Sequence, residues 1–318
     1  MAKYKVIVTA RSFGKTDSKA RELLEEDGCS VIKLEEAGGP IYEQLKNELP
    51  DADAVIAGLD DYDERLLARG GKLKVISRYG VGYDRVDVGA ASKFGIKVTV
   101  TPGANGDSVA DLAVGLMLAA ARNIPLMDAA MRAEAQKRPQ GVEMFEKTLG
   151  VVGAGRIGQG VARRCRGFGM KILCYDVYQN EAFKDECRAE YVSFERLIRE
   201  SDFITIHSPL TEETKNMFGE REFAVMKRDA IIVNTARGGI IDERALCAAL
   251  RGGVIRGAAL DATVSEPPYG EEILTLPNCI VTPHAGAATK EASAKMSLMS
   301  ARNVLDVLTT GECKYAVN

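Results

Sequence analysis

Leu149-Gly150-Val151-Val152-Gly153-Ala154-Gly155-Arg156-Ile157-Gly158 runs through a helical stretch into Lys171-Ile172-Leu173-Cys174-Tyr175-Asp176. The order is apolar run, three glycines at G-x-G-x-x-G spacing, helix, second apolar run, acid. Each part has a job in holding a dinucleotide. Gly153 permits the tight turn, Gly155 lets backbone approach a pyrophosphate, and Gly158 lets the helix pack on the strand. The helix N-terminus at Arg156 and Ile157 offers N–H groups to the phosphates. Asp176 lies about 20 residues on, where a carboxylate accepts hydrogen bonds from ribose hydroxyls. Glycine turns are common, so the motif alone is weak; the strand before it, the helix after it and the acid make it a nucleotide site.

At 318 residues the chain has room for two domains of ordinary size. Its 46% hydrophobic and 27% charged residues are those of a soluble globular protein. A net charge of −3 with no basic block leaves nucleic acid no electrostatic footprint. Lys5-Val6-Ile7-Val8 reads as a strand rather than part of a signal segment. The longest apolar run, Leu112 to Ala121, is about half of a membrane span and reads as a buried helix, so no membrane partner is expected. Seven cysteines lie scattered without a C-x-x-C, and only two histidines accompany them, so spacing assembles no metal site. Free thiols suit a reducing cytoplasm. Cys174 and Cys279, in strand-like runs, read as small core residues rather than nucleophiles.

Residues 1–100 alternate apolar runs at Val6–Thr9, Val31–Leu34, Ala54–Ala57, Val75–Ser77 and Ile96–Val100 with segments of helical period, such as Asp17 to Asp27 and Tyr62 to Arg69. That alternation predicts a parallel sheet with helices on both faces and ligands beyond the carboxyl ends of its strands. One such end is Arg78-Tyr79-Gly80-Val81-Gly82-Tyr83-Asp84. Its N–H groups, pointed outward together, would cradle a small carboxylate; an ordinary glycine turn reads equally well. The breaker cluster Thr101 to Gly106 precedes a helix, capped by Asp107 or Ser108 and running to Arg122, that crosses to a second domain. Pro125 starts or kinks a further helix to about Gln136, ended by Lys137-Arg138-Pro139. After Asp176, strands are expected at Phe203–Ile206, Ala230–Thr235, Ile255–Leu260 and Cys279–Thr282. Helices are expected near Asp242 to Arg251 and Lys290 to Thr309.

Three strand ends in this half present Arg237, Glu266 and His284. Singly, each has a plain reading: a solvated loop cation, a turn residue before Pro267-Pro268, a structural histidine after Thr282-Pro283. Together they are what the oxidation of a hydroxy acid requires. That reaction moves a hydride to nicotinamide and the hydroxyl proton to a base, and histidine exchanges protons reversibly near neutrality. A carboxylate beside a histidine stabilises the imidazolium. A guanidinium holds the substrate carboxylate and polarises the carbonyl oxygen. His207 lacks such an arginine–acid pairing and is the lesser acid–base candidate. Asp176 would repel a 2′-phosphate, and Val177-Tyr178 supply no arginine for one, so NAD is expected over NADP.

The stretches Arg78 to Asp84, Gly153 to Gly158, Asn234-Thr235-Ala236-Arg237-Gly238-Gly239-Ile240-Ile241-Asp242-Glu243 and Thr282-Pro283-His284-Ala285-Gly286-Ala287-Ala288-Thr289 together resemble the signatures of the NAD-dependent D-2-hydroxyacid dehydrogenases. The short phosphoglycerate dehydrogenase-like branch is the nearest in pattern. The resemblance implies an α/β protein of two doubly wound parallel-sheet domains. A Rossmann cofactor domain (101–287) is inserted in a flavodoxin-like substrate domain (1–100 plus 288–318). It implies a catalytic trio of Arg237, Glu266 and His284, and substrate contacts at Arg78, Tyr79, Val81 and Gly82, with the Val81-Gly82 backbone receiving the carboxylate. Cofactor contacts are implied at Gly153, Gly155, Arg156, Ile157, Gly158, Asp176, His207, Pro209, Thr214, Thr235, Ala236, Arg237, Asp261, His284 and Gly286. It also implies a homodimer whose cleft closes around a small 2-hydroxy or 2-oxo acid.

The chain departs from phosphoglycerate enzymes where they carry a phosphate-holding arginine: that place reads Ala57-Gly58-Leu59-Asp60-Asp61. Arg78 or the Lys137-Arg138 loop is left to compensate. Gln136 stands where a tryptophan is usual, and Tyr79, where a small residue is often found, would narrow or rim the pocket. No regulatory extension follows Asn318 in this sequence, so feedback through one is not expected. The default substrate is D-3-phosphoglycerate. Glyoxylate or hydroxypyruvate reduction is the alternative, and an NAD-sensing corepressor or scaffold role is a third reading.

Overall fold

The computed structural model describes residues 2–136 and 138–318, which divide into two compact units. One comprises the chain up to Asn105 and again Ala288–Asn318; the other is Gly106–Ala287. The first crossing falls after Asn105 rather than at residue 100. The reason is that Val100 and Thr101 still pair within the first unit, their N–H groups donating to Tyr315 O and Gly80 O.

The first unit carries β1 (Tyr4–Val8), β2 (Cys29–Lys33), β3 (Ala54–Ala57), β4 (Val75–Arg78) and β5 (Lys97–Thr99). Between them run α1 (Lys19–Glu26), α2 (Ile41–Glu48), α3 (Glu64–Leu67) and α4 (Val88–Lys93). The strands are parallel in the order β2-β1-β3-β4-β5, which is the flavodoxin-like winding. Successive residues of a strand face opposite sides, and both sides are covered. Ile7, Val55 and Ile76 enter one core with Leu45 and Leu66. Val6, Val8, Ile56 and Val75 enter the other.

The second unit opens with α5 (Gly106–Ala121) and α6 (Ile124–Arg132). It continues through β6 (Thr148–Val152), α7 (Arg156–Cys165), β7 (Lys171–Tyr175), α8 (Glu181–Cys187), β8 (Glu190–Tyr191) and α9 (Phe194–Glu200). β9 (Phe203–Ile206), α10 (Glu220–Val225), β10 (Ile231–Asn234), α11 (Glu243–Arg251), β11 (Gly257–Leu260) and β12 (Cys279–Val281) complete it. Its parallel sheet runs β12-β11-β10-β9-β6-β7-β8, the Rossmann order with the switch point between β6 and β9. α12 (Lys290–Thr310) then returns to the first unit, packing Ala301, Val304 and Leu308 into the core beneath Val6 and Val8.

Two helix boundaries differ from expectation. α5 starts at Gly106, so Asp107 lies in its first turn instead of capping it. α6 stops at Arg132, short of Gln136, and Asn123 at φ 53° breaks the chain before Pro125 enters the first turn. No single helix among the described residues is long and apolar enough to cross a membrane. α5 and α6 pass such a test only as a pair bent by 64°, and α5 buries Ala113, Leu116, Met117 and Ala121 in the unit's core.

Candidate active site

The glycine turn sits between β6 and α7, and its three glycines meet three different constraints. Gly153 has φ 89°, and a Cβ there would lie 2.7 Å from the backbone of His207 and Ser208. A Cβ on Gly158 would overlap Gly153 O. Gly155 is the contrast: a Cβ on it would meet no protein atom within 4 Å. The space there is a cradle that a side chain would fill, at the head of a ten-residue helix whose first N–H groups lack intrahelical acceptors. Arg156 is exposed and Ile157 half-buried in that first turn. This is the shape and charge a pyrophosphate requires.

Asp176 closes the turn from the end of β7. Its Oδ2 accepts from Ala154 N–H at 2.6 Å and its Oδ1 from Tyr178 N–H at 2.9 Å. Each oxygen keeps a lone pair for a ribose hydroxyl. Val177 and Tyr178 beside it are exposed and carry no positive charge.

Glu266 and His284 come together from two strand-end loops, Glu266 Oε1 lying 2.9 Å from His284 Nδ1. A carboxylate can only accept, so Nδ1 carries the proton and Nε2 is the nitrogen left to exchange one with a ligand. The histidine is held at φ 52°, a left-handed backbone that a bulky residue adopts only when its surroundings impose it. Asp261, buried at the end of β11, imposes it. Its Oδ1 accepts from Thr282 Oγ1 at 2.6 Å and Ala285 N–H at 2.7 Å, and its Oδ2 from Gly286 N–H at 2.8 Å. The carboxylate thus clasps the loop on both sides of His284.

Arg237 follows β10. Its Nη1 donates to Ala236 O at 2.7 Å. Buried Asn234 braces this turn, accepting from Ala236 N–H at 2.9 Å and donating to Arg237 O at 2.7 Å. A Cβ on the next residue, Gly238, would overlap the Thr263 carbonyl, so the loop bearing Arg237 and the loop leading to Glu266 touch backbone to backbone. Glu243, at the head of α11, holds the second of those loops by accepting from Val264 N–H at 2.7 Å. Burial pushes its pKa up from the ordinary carboxylate value. Neither Asn234 nor Glu243 stood among the expected site residues, although the run ending Asn234-Thr235-Ala236-Arg237 contained the signal.

His207 is differently placed. Its Nε2 lies 2.8 Å from Thr205 Oγ1 and its Nδ1 3.3 Å from Thr235 Oγ1. Burial pushes its pKa down to about 3, so the ring is neutral near pH 7 with both nitrogens engaged. That fits a wall residue rather than an acid–base group. Thr214 is likewise turned inward, donating to Pro209 O at 2.7 Å and accepting from Thr211 N–H at 2.8 Å, and so fixes the turn over which Pro209 lies. The thiols of Cys174 and Cys279 are pushed up to about 12 by burial, which leaves both inert. No group of His, Cys, Asp and Glu that could hold a metal ion exists among the described residues.

In the first unit, two residues at the end of β4 turn their polar groups onto the protein itself. Arg78 is buried, and its guanidinium is turned onto the protein's own backbone: Nε donates to Gly82 O at 2.7 Å, Nη1 to Ala57 O at 2.6 Å and to Gly58 O. The Tyr79 hydroxyl reaches Ser293 and Ser297 on α12. The Val81 and Gly82 N–H groups donate to no protein acceptor among the described residues. Asp60 Oδ2 is buried without a partner, and Asp61 pairs with Arg85 at 3.2 Å. Arg138 is exposed, and Lys137 lies outside the described residues.

Comparison with known proteins agrees with this geometry. Residues 114–286 match the family described as D-isomer specific 2-hydroxyacid dehydrogenase, NAD binding domain. The chain is 45% identical over 271 residues to a glyoxylate reductase of Thermococcus litoralis, covering 82% of each chain. It is 44% identical over 303 residues to a D-3-phosphoglycerate dehydrogenase of Methanocaldococcus jannaschii, covering 93% of this chain but 58% of that one. The crystal structure of a glyoxylate reductase from Paecilomyes thermophila superposes with a TM-score of 0.85 at 31% identity, covering 100% of this chain and 99% of that one. With a dinucleotide cradle, a carboxylate-paired histidine and these relatives, the chain belongs to the D-2-hydroxyacid dehydrogenase family and is an NAD-linked oxidoreductase.

Proposed function

We propose that this enzyme reduces a small unphosphorylated 2-oxo acid, of the glyoxylate or hydroxypyruvate class, to the D-2-hydroxy acid. One observation carries the choice of substrate. Where a phosphate-holding arginine would stand, the chain has Leu59, Asp60 and Asp61, and the guanidinium of neighbouring Arg78 is turned onto Ala57, Gly58 and Gly82. A phosphate would meet carboxylates there.

His284 Nε2 delivers a proton to the carbonyl oxygen, and Glu266 at Nδ1 holds the ring in the tautomer that leaves Nε2 available. Arg237 grips the substrate carboxylate and polarises the carbonyl. The Val81 and Gly82 N–H groups complete the hold on the carboxylate. Bound NADH supplies the hydride to the carbonyl carbon. Asp176 accepts the ribose hydroxyls and disfavours a 2′-phosphate. We place this activity in a reducing cytoplasm, on the support of seven free cysteines, and assign it to a homodimer, on the support of exposed Ile124, Met131 and Phe145.

The test is turnover with NADH across glyoxylate, hydroxypyruvate and 3-phosphohydroxypyruvate. The expected order places either unphosphorylated acid at least tenfold above the phosphorylated one in kcat/KM. The phosphoglycerate reading, supported by the 44% identity to the Methanocaldococcus jannaschii enzyme, replaces ours if 3-phosphohydroxypyruvate equals or exceeds them. No turnover of any 2-oxo acid would leave a binding role.

A further inference from the structure

The loop after β4 is tied down by a phenol. Tyr79 Oη donates to Ser293 O at 2.9 Å and lies 3.2 Å from Ser293 Oγ, 3.0 Å from Ser297 Oγ and 3.3 Å from Ser12 Oγ. A phenol has one proton, and the Ser293 carbonyl takes it. Ser12, and the Ser297 hydroxyl, must then donate to the phenol oxygen. Ser293 Oγ donates in turn to Ser12 O at 3.0 Å, and the Gly14 N–H reaches Ser297 Oγ at 3.4 Å. The ring itself stands edge-on to Phe13, centroids 6.4 Å apart. Three segments meet at one oxygen: the loop after β1, the loop after β4 and the first turns of α12. Ser293 and Ser297 are buried, at 6% and 2% exposure, so neither hydroxyl has water as a substitute partner.

We infer that Tyr79 is a positioning residue, which through Ser297 and Ser293 of α12 holds the Val81–Gly82 amides in the orientation that receives the substrate carboxylate. Arg78 fixes the far side of the same loop through Gly82 O, so Tyr79 and Arg78 grip it from two sides. Substrate affinity then depends on a helix face that substrate never touches. The inference rests on the carboxylate role proposed above for Val81 and Gly82.

Y79F, S297A and the double variant test it. Y79F keeps the ring on Phe13 and removes only the hydroxyl. Each single variant should raise KM for glyoxylate about five- to tenfold, with kcat within twofold and KM for NADH unchanged, because only ground-state carboxylate binding is loosened. The double variant should be no worse than the worse single, since both cut one network. Hydrogen–deuterium exchange in the peptide spanning residues 79–83 should quicken in all three, with or without substrate. A raised KM in Y79F alone overturns the inference and makes the phenol a direct substrate contact. Unchanged exchange overturns it as well. Faster exchange with unchanged KM also overturns it, and locates the failure in the carboxylate role rather than in the hydroxyl network.

Discussion

His284 is a residue whose neighbours determine what it can do. Its Nδ1 faces Glu266, its backbone is left-handed and its loop is clasped by Asp261. Replacing it with alanine should lower kcat by about 10²–10⁴, the usual worth of a positioned acid–base group. Glu266→Gln, which keeps shape but loses charge, should fall between that variant and the wild type. Single-turnover reduction of glyoxylate with NADH checks both. His207 gives a separate and opposite prediction. Its folded pKa is depressed to about 3, so its contribution to stability is complete above the unfolded value near 6.5 and is lost as pH falls toward 3. Between pH 6 and 4 the wild type should lose up to about 1.4 kcal/mol per pH unit through this group. His207→Asn should flatten that slope in urea titrations while retaining turnover, and an unchanged slope would mean the ring is solvated after all. At this scale the sequence was informative where a residue's role is local. Gly153, Asp176 and His284 are legible from a few flanking residues, because turn, strand end and loop are local events. Tyr79 and Arg78 are not. The phenol's partners lie 214 and 218 positions away, and an arginine that satisfies its own backbone looks the same in sequence as one that meets a ligand.

Elements explain why those residues converge. Parallel strands deliver every loop that follows a strand to one edge, so Asp176, Arg237, Asp261 and His284 arrive together from β7, β10, β11 and β12. The strands are legible in the sequence, since a strand buried on both faces is a short unbroken apolar run. The packing of one loop on another is not. Gly238 touches the Thr263 carbonyl, and nothing in Arg237-Gly238-Gly239 distinguishes that constraint from an ordinary turn. Gly238→Ala should force the Arg237 and Glu266 loops apart, costing about 1–3 kcal/mol in stability and lowering kcat. Gly239→Ala should cost stability through its φ of 83° alone, because its Cβ would find only the Leu210 side chain at 3.7 Å. Thermal melts with parallel kcat measurements separate the two. Thr289 caps α12 by accepting from Ala292 N–H at 3.0 Å, and Thr289→Ala should cost about 1 kcal/mol.

At the scale of the whole molecule, the chain is one unit interrupted by another. Gly106–Ala287 has its own sheet and its own two cores, one beneath α5 and α7, the other beneath α10 and α11. Expressed alone, residues 106–287 should fold cooperatively and bind NADH without catalysing reduction; circular dichroism and NADH fluorescence check this. The alternation of strand and helix announced both winding orders, whereas the place of the crossing depended on pairings such as Val100 with Tyr315 that join distant parts of the chain. That interruption bears on how the protein is made. α12 supplies Ala301, Val304 and Leu308 to a core whose other members are Val6, Val8, Ile56 and Val75. Val317 and Asn318 bond to Val98 along the edge of β5. On the ribosome, the first strands therefore emerge with one face bare and must wait for the last helix. At about 5–20 residues per second the wait is on the order of fifteen to sixty seconds, long enough for the inserted unit to finish first. Chaperone demand during synthesis should accordingly fall on the apolar strands β1, β3 and β4, which are made well before the helix that completes their core.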